Sequence, residues 1–327
     1  MKASKYGLLG GVLRSGAIRF SAFGLLTAAV FFATGVCRAD RLSYQSLAED
    51  GIVSGFGRKH GDPLKQVDRI QPISRPVYVP ARSDLYESDT LVAGTRVQGT
   101  WHFAPINTLN TREIINHGGD TALCFCPLAG LVVAVEGQMG VSGLLKYDTF
   151  VLYDHETKEL ILPFDQKTYR QSKRRPLGEV QMLTYDGMLR NFPDAKILDP
   201  RKYSLKNPYG SYATDRRKGI GHPKPGLDGK TAVDGTRYHP KERVLIIGFG
   251  GAMQKAYPFS ELRRMVPAEG GSFRDTVDGQ QVVVHYAPGY DWARVTDADG
   301  HSLNVGYSYI FALLQHHPSF PLFRADH

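Results

Sequence analysis

Short runs of apolar and β-branched residues, separated by glycines, prolines and other turn residues, occupy the chain from Thr95 onward. Such runs are typical of strands, and their close spacing is typical of antiparallel hairpins. Strands are predicted at Thr121–Cys126, Gly130–Val135, Thr149–Tyr153, Leu160–Leu162, Ala195–Leu198, Arg243–Ile247 and Gln281–Tyr286. Short helices are predicted at Tyr185–Asn191, Ser260–Met265 and Tyr307–Gln315. The pattern predicts an α+β fold of mainly antiparallel strands with a few short helices.

The first 39 residues have the composition of a targeting segment. They carry five cations and no acid, and Phe20–Val36 is an uncharged, mostly apolar run. Small residues follow at the first and third positions of Cys37-Arg38-Ala39, so we predict a signal peptide at 1–39 that is cleaved after Ala39. The alternative is an uncleaved membrane anchor. In either case the body is expected to be periplasmic or secreted, in an oxidising compartment.

Changes in composition divide the rest of the chain. A polar N-terminal arm is predicted at 40–94, followed by a first α+β unit at 95–200. Residues 201–241 are rich in proline, glycine and charge, which predicts a surface loop or a linker. A second α+β unit is predicted at 242–327. Phe103–Ile106 resembles Ala256–Phe259, and a helical segment and a strand follow each, so the two units are expected to be an internal duplication.

Charge excludes one class of partner. The formal net charge is +8, from 40 cations and 32 acids. The first 39 residues supply five of the cations, so the body carries 35 − 32 = +3. A body with so small a charge gives no indication of nucleic-acid binding. The 17 Tyr, 16 Phe and 2 Trp instead predict a well-packed core.

The most unusual local sequence is Cys124-Phe125-Cys126-Pro127. Residues two apart in a strand point to the same face, with Cα atoms about 6.5 Å apart, which is near the limit for a disulfide. Cys124 and Cys126 are therefore candidate catalytic or redox residues. They are also candidate ligands of a soft metal ion such as copper, with His117 and His155 completing the set. The alternative is that both cysteines are small apolar residues of the core.

A glycine-rich stretch, Gly140-Val141-Ser142-Gly143-Leu144, is similar to a nucleophile elbow but lacks its final glycine. A tight turn is the better interpretation, and Ser142 is a weak candidate nucleophile. The run Asp297-Ala298-Asp299-Gly300 lacks the later carboxylates of a calcium loop, so a polar turn is predicted there.

Several of these motifs, in order along one chain, resemble a family of exported bacterial proteins known as domain of unknown function 3179 (DUF3179). The resemblance runs from about Asp68 to Arg324. It is carried by Cys126-Pro127-Leu128, Gly140–Leu145, Tyr153–Thr157, Phe192–Leu198, Lys255–Phe259, Phe311-Ala312 and His317-Pro318. The resemblance implies a fold and an exported setting, and it implies no assigned reaction.

The chain departs from the family pattern near its cysteines. Ala129 stands where members often have a second cysteine after Cys-Pro-Leu. In the stretch that resembles Trp-His-Glu-x-x-Asn-Asp, Arg112 and His117 replace the His and the Asp, and His155 replaces the Arg expected after Tyr153-Asp154. An active site of the family, if placed there, would be divergent or inactive in this member.

Two classes of function are left open by the sequence, and whether the protein is an enzyme is uncertain. The first is a periplasmic cysteine-centred protein, acting in thiol redox chemistry or binding a soft metal. The second is a non-catalytic ligand-binding or envelope-assembly module. No nucleic-acid partner is expected, a membrane is expected only through an uncleaved N-terminal segment, and protein partners are unknown. The burial of each cysteine and the approach of a histidine to it discriminate between the two classes.

Overall fold

The strands of this protein are short and mostly antiparallel, as the turn-rich pattern predicts. A computed structural model describes residues 42–216, 233, 236–248 and 254–325. The described strands are β1 Ile52–Ser54, β2 Tyr78–Pro80, β3 Leu91–Val97, β4 Thr100–Pro105, β5 Ile114–His117, β6 Thr121–Cys126, β7 Leu131–Glu136, β8 Met139–Lys146, β9 Thr149–Asp154, β10 Leu160–Leu162, β11 Lys167–Thr168, β12 Leu177–Gly178, β13 Val180–Thr184, β14 Lys196–Leu198, β15 Arg243–Ile247, β16 Lys255–Pro258, β17 Gly271–Val277, β18 Gln280–Ala287, β19 Trp292–Asp297 and β20 Val305–Tyr309.

Five short α-helices and two 3₁₀ segments connect the strands of this described part. The helices are α1 Tyr44–Glu49, α2 Ile106–Arg112, α3 Tyr185–Asn191, α4 Phe259–Met265 and α5 Ile310–His316, with 3₁₀ segments at Pro63–Gln66 and Pro288–Tyr290. Helix α3 begins after Thr184, whose hydroxyl accepts the Gly187 amide at 3.2 Å, and ends before Pro193. Over the described residues no helix combines the length and the apolar character that a membrane crossing requires.

Four sheets contain these strands. Sheet A has the order β1-β8-β9-β10-β11, and sheet B has the order β16-β15-β20-β7-β6-β5 with β12 beside β7. Sheet C has the order β13-β3-β4-β14-β2, and sheet D is β17-β18-β19. All the pairs are antiparallel except β4 with β14. The α+β class and the predominance of antiparallel strands are thus confirmed.

Sheet B lies at the centre of the core, because both of its faces are buried. Alternate residues of β6 enter two different apolar clusters: Ala122, Cys124 and Cys126 join one, and Leu123 and Phe125 join the other. The first cluster includes residues of sheet A and of α5, and the second includes residues of sheets C and D. A strand that is covered on both faces has a nearly continuous apolar sequence, as Thr121–Cys126 does.

Strands from both predicted units meet in sheet B. Strand β20 pairs with β15 on one side and, through Tyr307 and Val132, with β7 on the other. The predicted N-terminal arm also pairs with the body, since β1 pairs with β8 and β2 with β14. The boundaries at 94, 200 and 241 stay predictions, but the described strands on the two sides of the 201–241 segment share one sheet. The signal segment lies outside the described residues.

One local pattern occurs twice, as expected for a duplication. A hairpin, a short helix and a second hairpin follow one another as β3-β4-α2-β5-β6 and as β15-β16-α4-β17-β18. Both helices begin directly after a proline in extended conformation, Pro105 at φ −61° and Pro258 at φ −59°. This parallel supports the predicted duplication.

The predicted C-terminal helix was wrong in its first turn. Tyr307–Tyr309 belongs to β20, and α5 begins at Ile310. The same short run of apolar and aromatic residues suits both a buried strand and a helix. The hydrophobic period alone therefore did not show where the strand ends and the helix begins.

Candidate functional site

The two predicted cysteines lie side by side on one face of β6, as the strand period predicts. Cys124 is 0% exposed and Cys126 is 1% exposed, and both thiols are free. The Cys126 Sγ accepts the Phe150 amide at 3.3 Å and lies 3.9 Å from the Asp148 carbonyl oxygen. The Cys124 Sγ has a weaker contact, 3.7 Å from the Ala122 carbonyl oxygen. Both side chains are therefore packed into the core.

This environment disfavours the thiolate. Burial raises the pKa of both thiols, that of Cys126 to about 12, and the nearby Glu113 carboxyl raises both further. Backbone hydrogen bonds from Ala129, Phe150 and Leu128 lower the pKa of Cys126, but by less than burial raises it. The thiolate is both the nucleophile and the metal ligand in cysteine chemistry. A pair of buried, protonated thiols is typical of cysteines with a structural role.

The two histidines predicted to complete a metal site do not meet the cysteines. His117 is paired with Thr121 at the far end of the β5–β6 hairpin, on the opposite face from Cys124. Its two ring nitrogens are engaged, Nε2 by the Tyr78 hydroxyl at 2.7 Å and Nδ1 by the Thr121 carbonyl at 3.2 Å. Burial lowers its pKa to about 4, so the ring is neutral.

His155 lies just beyond the end of β9, five residues from the Phe150 amide that contacts Cys126, which is about 16 Å along a strand. Its Nε2 is 2.9 Å from the Asp68 carboxylate. The structure therefore does not bring Cys124, Cys126, His117 and His155 together, because the alternation of strand faces and the length of β9 separate the histidines from the thiols. The metal-ligand set stays a prediction.

One acidic group beside the thiols was not singled out from the sequence. Glu113 directly follows α2 with φ +59°, and its carbonyl accepts the Phe125 amide at 2.7 Å. The residue is 8% exposed, and among the described residues no hydrogen bond or ion pair reaches its carboxyl group. Burial raises the pKa of that carboxyl to about 7. A buried carboxyl poised near neutrality is a common property of functional sites.

Glu113 and Asn116 belong to the stretch that resembles the Glu-x-x-Asn part of the family motif. Asn116 has a structural role, since its amide nitrogen donates to the Met139 carbonyl at 2.9 Å and its oxygen accepts the Met139 amide at 2.8 Å. These two bonds hold β5 against the start of β8. The Glu113 side chain makes no such bonds. In the sequence, only this motif pointed to Glu113 as a candidate functional residue, and its burial had to be known before the motif could be interpreted.

A cavity of about 400 Å³ opens at the end of β6, next to Cys126-Pro127. We call it the β6 cavity, and its volume lies in the range of small-molecule sites. Helix α2, the segment before β3 and residues 201–216, which we call the cavity loop, form its walls. The lining residues are Glu87, Asp89, Thr90, Leu91, Ile106, Asn107, Asn110, Phe125, Pro127, Asn207, Tyr209, Gly210, Tyr212, Ala213 and Tyr309.

Specific hydrogen bonds hold the cavity loop against the body. The Asn110 amide donates to the Asn207 side-chain oxygen at 3.0 Å, and the Thr108 hydroxyl donates to the Ser204 carbonyl at 3.2 Å. The Tyr212 hydroxyl donates to the Leu128 carbonyl at 2.7 Å. The first part of the predicted loop therefore forms a wall of the β6 cavity.

Glu113 lies behind this wall. Its backbone is bonded to Phe125, which lines the cavity, and its carboxyl raises the pKa of the Tyr209 phenol, which also lines it. The same carboxyl acts on both thiols of β6. The carboxyl group thus acts on the thiols and on Tyr209, although Glu113 does not itself line the cavity.

A second cavity, of about 440 Å³, lies beside β2. Its charged residues are already paired with each other, Arg82 with Asp84 at 3.2 Å and Arg201 with Asp199 at 2.7 Å. Elsewhere in the described part of the chain, the one group of three His, Cys, Asp or Glu side chains close enough to share an ion is Asp297, Asp299 and His301. The Asp297 carboxylate there accepts the Asp299 and His301 amides, which confirms the predicted polar turn.

Comparison with known proteins gives a single match. No curated protein and no solved structure matches the chain. The model of a family described as protein of unknown function (DUF3179) matches residues 67–317, which is more than half of the chain and includes β6, Glu113 and the walls of the β6 cavity. The resemblance that the motifs indicated is thereby confirmed, and the chain belongs to the DUF3179 family.

Proposed function

We propose that this protein is an exported, non-catalytic ligand-binding protein whose β6 cavity takes a small organic molecule. The observation that carries the proposal is the cavity itself, at the end of the strand that bears Cys-Pro-Leu. Its walls combine amide groups, carboxylates and aromatic rings, and this mixture of apolar surface with a few polar groups is typical of ligand sites.

The cysteine-centred alternative has less support. Both thiols are buried, burial raises the pKa of each, and within the described part of the chain neither sulfur has a hydrogen bond with a histidine. In the ligand-binding proposal Cys124 and Cys126 pack the floor beneath the cavity, where Pro127 ends the strand. Export follows from the predicted signal segment and stays part of the proposal.

Thermal denaturation of the purified protein in the presence of small organic cations, anions and neutral polar compounds tests this proposal. Binding at the β6 cavity raises the melting temperature, and the shift grows with the logarithm of the ligand concentration once this exceeds Kd. Ala213 lines the cavity from its exposed rim, so Ala213→Trp should abolish the shift. Ala268 is equally exposed but does not line the cavity, and Ala268→Trp is the matched control that should keep it.

Two outcomes contradict the proposal. One is the absence of a stabilising compound in all three chemical classes. The other is a shift that Ala213→Trp leaves unchanged, which would place the ligand elsewhere. Reaction of Cys124 and Cys126 with a thiol reagent in the native protein would instead favour the cysteine-centred alternative.

A further inference from the structure

The charges that line the β6 cavity are all of one sign. Glu87 and Asp89 are exposed at its rim, and the lining, taken from the described residues, contains no Lys, Arg or His. Asn107, Asn110 and Asn207 add amide groups, which can accept hydrogen bonds through their oxygens. An anionic ligand would find no counter-charge in this lining, whereas a cation would find two carboxylates.

Aromatic rings form the inner walls. Tyr209, Tyr212 and Tyr309 follow one another around the cavity, with ring centroids 5.9 Å apart for the first pair and 6.3 Å for the second. Their planes are tilted by 74° and 46°, so the rings enclose space instead of stacking on one another. Rings arranged around a small space are the usual means of holding an ammonium group, because the π faces carry negative potential.

The protein itself places an ammonium group on one of these rings. The Lys241 Nζ lies 3.8 Å from the centre of the Tyr212 ring, and it donates to the Tyr212 carbonyl at 2.7 Å and to the Asp215 carbonyl. Lys241 is buried and does not line the cavity. The Lys241 ammonium therefore already makes a cation–π contact with the Tyr212 ring. The ring faces of Tyr209 and Tyr309 are the ones that a ligand would use.

Glu113 adds a third acidic group, which is buried and is not part of the lining. The residue is more than nine-tenths buried, its carboxyl group makes no hydrogen bond among the described residues, and this group acts electrostatically on Tyr209. A buried carboxylate without a partner is costly unless a cation compensates it. A cation bound beside Tyr209 would therefore stabilise the ionised form of Glu113.

We propose that the ligand of the β6 cavity is a small organic ammonium ion, held between the Tyr209 and Tyr309 rings, with Glu113 as the buried counter-charge and Glu87 and Asp89 attracting it at the rim. This inference rests on the proposed ligand-binding function and adds the chemical class of the ligand.

Binding should then be linked to the ionisation of Glu113. The titratable groups that interact with its carboxyl are Cys124 and Cys126 from β6 and Tyr209 from the cavity loop; Arg112, beside it on α2, is exposed. Burial raises the pKa of these two thiols and of the phenol, so they stay neutral near pH 7. The affinity for a cation should therefore rise between pH 6 and 8, as Glu113 ionises, and a proton should be released on binding.

The experiment is calorimetric titration of the full chain with two cations, choline and 1,4-diaminobutane, and with 3,3-dimethylbutan-1-ol, a neutral compound of the shape of choline. We expect at least one of the two cations to bind. If choline binds, its neutral analogue should bind at least about tenfold more weakly. Glu113→Gln should weaken the cation by on the order of tenfold and abolish both the pH dependence and the proton release.

Tyr209 supplies a second variant that does not depend on a buried substitution. Tyr209→Phe keeps the ring and should keep most of the affinity for the cation, whereas Tyr209→Leu removes the ring and should lose it. Failure of both cations to bind overturns the inference, as does equal affinity for choline and its neutral analogue. If an anion or a neutral compound binds and Ala213→Trp blocks it, the cavity is a ligand site and only the ammonium class is wrong. If nothing binds at all, both proposals fall.

Discussion

The Cys126 sulfur interacts with backbone amides and the Cys124 sulfur does not, and this difference leads to a prediction. Both residues are fully buried, so truncation to alanine removes the same sulfur from the same core in each case. Only Cys126 accepts a backbone hydrogen bond at close range, from the Phe150 amide at 3.3 Å, and the Ala129 and Leu128 backbone also acts on it. Cys126→Ala leaves the buried Phe150 amide without an acceptor. This costs about 1–3 kcal/mol in addition to the cost of the void that the missing sulfur leaves in the core. We expect Cys126→Ala to be the more destabilising variant by that amount.

Urea denaturation measures the difference, because a change in the midpoint at a constant slope is a change in stability. Cys124→Ala is the matched control. Equal loss of stability in the two variants would show that the Phe150 amide finds another acceptor. Neither variant should lose binding to the β6 cavity, since neither sulfur lines it.

Glu113 predicts a pH dependence of stability whose sign can be worked out. Burial raises the pKa of its carboxyl from an ordinary 4.5 to about 7. Below pH 4.5 the Glu113 carboxyl is protonated in both the folded and the unfolded state. Its ionisation then takes nothing from the free energy of unfolding. As the pH rises, the unfolded chain ionises first, and the free energy of unfolding falls until the folded state also ionises near pH 7. The loss is up to about 3 kcal/mol.

Glu113→Gln has no carboxyl to ionise, so the difference between wild type and variant should change over pH 4.5–7 and be flat on either side. The subtraction removes the opposite slope of His117, whose pKa is lowered to about 4. Denaturation curves at half-unit steps of pH provide the measurement. A difference that does not vary with pH would mean that Glu113 is ionised in the folded protein with an ordinary pKa.

At the scale of single elements, strand β8 shows what the glycine-rich motif does. Gly140–Leu144 was predicted to be a tight turn and lies instead inside a strand, where the pairing of β8 with β9 shifts between Val141 and Leu144. This irregularity is a β-bulge. The Ser142 hydroxyl donates to the Val151 carbonyl and accepts the Leu144 amide at 3.0 Å, so both of its hydrogen bonds stabilise the bulge. Both a turn and a bulge need glycine, and the sequence alone did not distinguish them.

The bulge predicts that Gly143 is intolerant of a side chain. Its φ is +76°, and an added Cβ would lie 2.6 Å from the Phe56 ring. Gly57 has a similar φ of +71° with open space around it, so Gly57→Ala measures the backbone strain alone. Gly143→Ala should cost about 1–3 kcal/mol more than Gly57→Ala, because the ring must move as well. Thermal or urea denaturation of the two variants tests this, and equal costs would contradict it.

The local sequence pattern predicted those features well that depend on the residues of a single helix or strand. Helix α3 and strand β6 have the predicted bounds, and the two thiols share a face because the strand period requires it. What depends on packing between elements was not predictable. The burial of Glu113 arises where α2 meets β6, and the β6 cavity exists only because the 201–216 segment returns to cover α2. The separation of His117 from the cysteines likewise follows from which face each residue takes.

On the scale of the whole molecule, sheet B connects the two sides of the proline- and glycine-rich segment. Strand β20 follows this segment and β7 precedes it, and the two pair beside β15, which is bonded to β20 through five residue pairs. A protease that cuts within 201–241 would therefore break the chain without separating the strands of the sheet. The core cluster that contains Cys126 also draws residues from both sides, such as Leu131 and Phe311.

We predict that limited proteolysis cuts first within 201–241 and that the two fragments then stay together. Proline, glycine and charge make this the segment where cleavage is expected, whereas most of 121–165 is paired strand. The fragments should elute as one species in size-exclusion chromatography under native conditions and separate in denaturant. Elution as two independent folded fragments would favour two autonomous units, and early cleavage inside 121–165 would contradict the assignment of the susceptible site. Because residues 203–213 hold one wall of the β6 cavity, a cut there should also weaken ligand binding, whereas a cut after residue 216 should spare it.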